Sequence, residues 1–104
     1  MKVDECIQFL ADTDEEAGQL KAAMLGAEFQ AKQAKAREFV MAEGTMAEKE
    51  SRAILSDAYK TAQEALENAT ADFQILANKR NTMQLRFEAW RSMNANRRQA
   101  GGNL

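Results

Sequence analysis

The sequence contains no histidine and only one cysteine, and both scarcities limit its chemistry. Without histidine the chain lacks the commonest general base, and it cannot form the Glu-x-x-His pairs of four-helix di-iron proteins. A single cysteine excludes an intrachain disulfide, which fits a reducing compartment. Because Cys6 has no basic neighbour in the sequence, we expect it to be a small buried residue and not a nucleophile.

The patterns of phosphate-binding and metal-binding loops are also missing. No glycine-rich loop precedes a helical stretch, so the sequence offers no cradle for a nucleotide. The acidic run Asp12 to Glu16 lacks the ligand spacing and the glycine of a calcium loop, and we interpret it as a solvated helix start. We therefore predict that the chain is not an enzyme and that it uses no metal and no cofactor.

Long apolar runs are absent as well. No apolar run reaches about 10 residues, and Lys2 is soon followed by acids, so no secretory signal peptide is predicted. No stretch approaches the roughly 18 apolar residues of a membrane span. The expected location is the cytoplasm, without membrane contact.

The residues that are present favour helices. Proline is absent, and alanine, glutamate, glutamine, lysine, methionine and leucine dominate the 104 residues, a composition typical of long helices in a single domain. We predict an all-α fold, an antiparallel, coiled-coil-like helical hairpin with a short N-terminal helical segment, which associates into a helical bundle. The predicted domain covers residues 1–98, with helices at about 3–11, 14–43 and 46–97, and a flexible tail covers 99–104.

Two capping patterns set these boundaries. Gly44 fits the left-handed position that closes a helix, and Thr45 with Glu48 three residues later forms a capping box for the next helix. So short a link predicts that the two helices run antiparallel. Thr13 with Glu16 forms a second capping box, and here we favour a break or kink over a continuous helix with a register slip.

One apolar stripe has the alternating three- and four-residue steps of a heptad seam, and we expect it to join the two helices. In the first helix its members are Ala17, Leu20, Met24, Ala27, Ala31, Ala34 and Met41. In the second helix they are Leu55, Ala58, Ala62, Ala65, Ala69, Phe73, Leu76, Arg80, Met83, Phe87 and Trp90. A fold-back at Gly44 brings Leu10 near Arg80.

A second apolar stripe follows another face of the helices. Its members are Leu25, Phe29, Phe39, Val40, Ile54, Leu66, Ile75 and Leu85. Because a hairpin buries only one face of each helix, this stripe predicts self-association, with a homodimer favoured. The alternative occupant is a different partner protein.

The charge is divided along the chain. Residues 1–78 carry eight Lys/Arg against fifteen Asp/Glu, whereas residues 79–104 carry six against one. The residues that could form a contact with nucleic acid or an acidic partner are Arg86, Trp90, Arg91, Arg97 and Arg98. In that interpretation the arginines bind phosphates and the indole stacks on a base. The alternative is that the arginines offset the helix dipole while Trp90 packs in the seam.

The stretch Phe87 to Gln99, FEAWRSMNANRRQ, resembles small uncharacterised helical proteins of tailed phages and prophages. The similarity is clearest over about residues 80–99 and brings no catalytic motif with it. It implies a bacterial host cytoplasm and an accessory role in DNA recombination or replication.

Two functions of different classes follow. The first is a non-enzymatic phage or prophage accessory protein that assists DNA recombination or replication through its basic C-terminal end. The second is a protein-interaction or assembly module, such as a host-enzyme inhibitor or a morphogenesis component, without nucleic-acid contact.

Overall fold

The computed structural model describes residues 2–102, and within them the chain is helical without a strand. Helix α1 covers Val3–Met41, α2 covers Met46–Leu55 and α3 covers Asp57–Gly102. The predicted all-α class is therefore confirmed. Over these residues no helix combines the length and the apolar content that crossing a membrane requires.

Helix α1 is continuous through the acidic run, so the predicted break between residues 11 and 14 is wrong. The Thr13 hydroxyl does not cap a helix start. It donates a hydrogen bond to the Phe9 carbonyl, at 2.7 Å, a back-bond to residue i−4 that a helix interior accepts. The acids of this run point to solvent, where a helix interior tolerates them. The helix then ends at Met41, two residues before the predicted end.

The link between α1 and α2 has the predicted chemistry. Gly44 has a φ of +118°, a conformation that residues with a side chain rarely adopt. Thr45 is the N-cap of α2, and its hydroxyl oxygen accepts a hydrogen bond from the Glu48 backbone N–H at 3.2 Å. The helix begins at Met46, as predicted.

Ser56 interrupts the predicted helix 46–97, which is therefore two helices. Its backbone is extended, with φ −68° and ψ 149°. The Ser56 backbone N–H and hydroxyl both donate to the Ala53 carbonyl, at 3.3 and 2.7 Å. The same hydroxyl oxygen accepts from the Tyr59 N–H at 3.2 Å. Ser56 thus closes α2 and caps α3, and the acid Asp57 in the first turn suits that helix start.

The C-terminal end of α3 differs from the prediction. The helix continues past residue 97 to Gly102, so residues 99–102 of the predicted tail are helical. The last two residues of that tail, 103 and 104, lie outside the described residues.

The described chain forms two compact units. In the unit Gly18–Gln74, Ala31 and Ala53 are buried, and Lys35 Nζ lies 3.8 Å from Glu50 Oε1. The other unit combines the start of α1, up to Ala17, with the chain from Ile75 onward. In that unit Cys6 is buried, as predicted.

Arg80 joins α1 and α3 within the second of these units. Its guanidinium Nη1 donates to the Leu10 carbonyl at 2.8 Å and to Thr13 Oγ1 at 2.7 Å. Its Nη2 lies 3.1 Å from Asp14 Oδ1. The predicted neighbourhood of Leu10 and Arg80 is therefore present.

Burial follows the predicted seam along most of α1 and departs from it around Ser56. Residues Ala17 to Ala34 of the predicted seam are buried or half-buried, whereas Met41 is exposed. In the next helices Leu55, Ala58 and Ala65 are exposed. Because the interruption changes the helical phase, other residues take the inner positions: Ala53, Ser56, Tyr59, Gln63 and Leu66. From Ala69 to Phe87 the predicted members are again buried or half-buried.

Candidate functional site: an arginine and tryptophan face of α3

The five predicted contact residues lie on one side of α3. At about 100° per residue, their positions fall within an arc of about 140° around the helix. We call this surface the Arg–Trp face, and it consists of Arg86, Trp90, Arg91, Arg97 and Arg98. Glu88, the only acidic residue after position 78, lies outside that arc. Among the α3 residues after position 78, the face therefore groups four arginines and includes no carboxylate.

Aromatic rings occupy the middle of the Arg–Trp face. The rings of Phe87 and Trp90 stack with their centroids 6.2 Å apart and an interplanar angle of 23°. Arg91 Cζ lies 5.8 Å from the centre of the Phe87 ring, within the range of a cation–π interaction. These contacts orient the indole and one guanidinium relative to each other.

Trp90 is accessible to a ligand. Its exposed fraction is 44%, so part of the indole is open to solvent while the ring also stacks on Phe87. The four arginines are also exposed. An exposed indole among exposed guanidinium groups can stack on a planar group while the cations bind anions beside it.

Phe87 belongs to this site, although the sequence analysis assigned it to the seam alone. It is half-buried and supplies the ring on which both Trp90 and Arg91 rest. Its spacing from Trp90 and Arg91 could have indicated this, because residues three and four apart are neighbours on a helix surface.

The second apolar stripe is largely exposed. Six of its eight predicted members are exposed: Leu25, Phe29, Val40, Ile54, Ile75 and Leu85. Phe39 and Leu66 are half-buried, and Lys49 Nζ lies 5.9 Å from the Phe39 ring. Three of the exposed members lie on α1, one on α2 and two on α3.

A groove lies beside this stripe, between α1 and α2. Its volume is about 440 Å³, and its lining residues are Lys32, Lys35, Ala36, Phe39, Val40 and Glu50. The floor is apolar and the rim is charged, which suits an apolar side chain and not a metal ion. Among the described residues no cluster of His, Cys, Asp and Glu could hold a metal.

Comparison with known proteins leaves the family of this chain open. No protein-family model matches it, and neither a curated protein nor a solved structure matches it.

Proposed function

We propose that this chain is a non-enzymatic accessory protein of a phage or prophage, which self-associates as an antiparallel helical hairpin and assists DNA recombination or replication. Its contact with nucleic acid is the Arg–Trp face of α3. The observation that carries the proposal is the grouping of four exposed arginines and a 44% exposed tryptophan on one side of that helix. The resemblance of residues 87–99 to phage proteins supports the biological setting.

The chemistry of the face favours single-stranded nucleic acid. Guanidinium groups bind phosphate oxygens and release counterions. An indole stacks on any base, provided that the base is unpaired and can leave its neighbours. Because stacking and phosphate contacts carry little sequence information, the expected binding is tolerant of sequence.

The hairpin is supported by contacts between residues distant in the sequence. Arg80 binds Leu10, Thr13 and Asp14, and Lys35 pairs with Glu50 on either side of the link at Gly44. Self-association is supported by the apolar side chains that remain exposed on α1, since exposed apolar patches mark interaction surfaces.

Sedimentation velocity with a labelled single-stranded oligonucleotide tests the nucleic-acid contact. We expect the protein to co-sediment with the oligonucleotide at low salt, and we expect Arg97→Ala/Arg98→Ala to lose most of that binding. The matched control is Arg37→Ala/Lys60→Ala, which removes two exposed cations outside the face. Equal binding by both double variants, or no binding by the parent protein, would discard the proposal.

A second candidate function is favoured by the exposed stripe itself. In this case the chain is a protein-interaction or assembly module, and its contact surface is centred on Phe29 with Phe39 and Ile54. Capture of a host protein that depends on Phe29 and is unaffected by Arg97→Ala/Arg98→Ala would support this candidate over the first.

A further inference from the structure

The apolar stripe on α1 faces away from the packing within the chain. Phe29, Ala36 and Val40 lie between about 140° and 180° around the helix from the buried Ala31. Phe29 is 62% exposed and Val40 is 77% exposed. Helix α1 therefore has two apolar faces on opposite sides, and only one of them is covered.

The uncovered face carries large residues toward one end and a small residue, Ala36, toward the other. Leu25 and Phe29 stand near one end, Ala36 lies seven residues after Phe29, and Val40 follows. The groove beside Ala36, with its apolar floor of Ala36, Phe39 and Val40, is large enough for a phenyl ring. The face thus carries both a projecting ring and a recess for one.

We propose that this recess receives Phe29 of a second copy of the chain, in an antiparallel pair of α1 helices related by a two-fold axis near Lys32. In this register Phe29 of each copy lies against Ala36 of the other, and Leu25 lies against Val40. A parallel, in-register pair instead sets Phe29 against Phe29 and leaves the two Ala36 residues facing a gap. The antiparallel pair fills both grooves.

The charges along one edge of the stripe fit the same register. An axis near Lys32 brings Lys21 of one copy near Glu43 of the other, which follows the end of α1. It also brings Glu28 near Lys35, whose ammonium lies 3.8 Å from Glu50 of its own chain. The symmetry repeats each contact, so four pairs of opposite charge flank the apolar strip. The two Lys32 side chains meet near the axis, at a solvent-exposed position where their repulsion is small.

This inference deepens the self-association in the proposed function by naming its partner and register. It depends on the α1 and α2 residues of the unit Gly18–Gln74 and not on the Arg–Trp face. The two can therefore fail separately.

Disulfide cross-linking tests the register. In a Cys6→Ala background, Lys32→Cys places two thiols beside the two-fold axis, and we expect mild oxidation to give a covalent dimer. The matched control is Arg37→Cys, also an exposed cation on α1. In the proposed register its two copies are about 15 Å apart along the helices, too far for a disulfide. A monomeric Lys32→Cys protein, or equal cross-linking of both variants, overturns the proposal.

Sedimentation equilibrium without nucleic acid tests how individual side chains contribute to the stability of the dimer. We expect Phe29→Ala to weaken the dimer by about tenfold or more. Met93→Ala removes an apolar side chain of similar exposure from α3, outside the stripe, and is expected to leave the dimer unchanged. Lys21→Glu should weaken the dimer, and Lys21→Glu/Glu43→Lys should restore it.

The outcomes distinguish the proposed pairing of α1 helices from the proposed nucleic-acid contact. Loss of the dimer on Phe29→Ala but not on Met93→Ala, with rescue of Lys21→Glu by Glu43→Lys, supports the pairing. Equal effects of Phe29→Ala and Met93→Ala refute it. Far-UV circular dichroism of each variant shows that the helices are retained. If Arg97→Ala/Arg98→Ala stays dimeric but the parent binds no oligonucleotide, the nucleic-acid contact fails while the pairing stands.

Discussion

Arg80 shows how one polar residue can hold a position in an otherwise apolar seam. Its side chain is 23% exposed, and its guanidinium binds the Leu10 carbonyl, Thr13 and Asp14. The Thr13 hydroxyl donates its own proton to Phe9, so its oxygen is oriented to accept from Arg80. The heptad spacing predicted the position of Arg80, but the hydrogen bonds depend on the rotation of two side chains, which spacing does not encode.

Arg80→Leu should destabilise the protein by about 1–3 kcal/mol, because it removes hydrogen bonds from a partly buried charged donor. Asp14 is 81% exposed, so Asp14→Asn should cost no more than about 0.5 kcal/mol. Urea denaturation followed by circular dichroism measures both. Equal losses in the two variants would mean that the exposed ion pair, and not the inner hydrogen bonds, matters.

Gly44 and Gly26 should respond in opposite ways to alanine. Gly44 has φ +118°, and an added Cβ would meet the Glu48 carboxylate, so Gly44→Ala should cost about 1–2 kcal/mol. Gly26 is helical with open space around it, so Gly26→Ala should stabilise by roughly 0.5–1 kcal/mol. Thermal unfolding of both variants measures these changes in stability. An unchanged melting temperature for Gly44→Ala would contradict the conformational requirement for glycine at this position.

At the scale of the helices, Ser56 explains why the single helix predicted over residues 46–97 is two helices. The spacing of Leu55, Ala58 and Ala62 continues a heptad pattern, which hides the Ser-Asp start signal at positions 56 and 57. Once Ser56 caps α3, the helical phase changes and Ala53, Tyr59 and Leu66 turn inward. Thr13 is the reverse case, since a capping pattern lies inside a continuous helix. Local capping patterns alone do not decide between these outcomes, because the contacts across the seam are not local.

Ser56→Ala should destabilise the protein by about 0.5–2 kcal/mol, because it removes the hydroxyl that caps α3. Ser51→Ala is the control, since Ser51 is exposed inside α2 and alanine is the better helix former. The free energies of unfolding in urea provide the comparison. If Ser56→Ala is as stable as Ser51→Ala, the Ser56 hydroxyl does not stabilise the start of α3.

At the scale of the whole molecule, the chain carries two proposed surfaces with different chemistry. The apolar stripe residues of α1 lie within the acidic residues 1–78, and the Arg–Trp face lies within the basic residues 79–104. Sequence pattern predicted which residues form both surfaces. It could not show that Trp90 is exposed or that Phe39 and Leu66 are half-buried, because burial depends on the phase that Ser56 sets.

A dimer presents two Arg–Trp faces, so self-association should raise the affinity for long oligonucleotides. We expect Phe29→Ala to weaken binding to an oligonucleotide that can reach both faces by about tenfold or more. Binding to a short oligonucleotide, which occupies one face, should be unchanged. Fluorescence anisotropy with the two lengths tests this, and equal loss on both would place Phe29 in the contact itself.

The most direct test of the Arg–Trp face is the fluorescence of Trp90, the only tryptophan in the chain, during titration with single-stranded DNA at increasing salt. We expect saturable quenching, because the exposed indole stacks on a base. Four arginine–phosphate contacts predict a slope of log K against log salt near −3, and Arg97→Ala/Arg98→Ala should reduce its magnitude by about 1.4. Unquenched fluorescence at low salt, or a slope that this double variant leaves unchanged, would contradict the assignment of the Arg–Trp face.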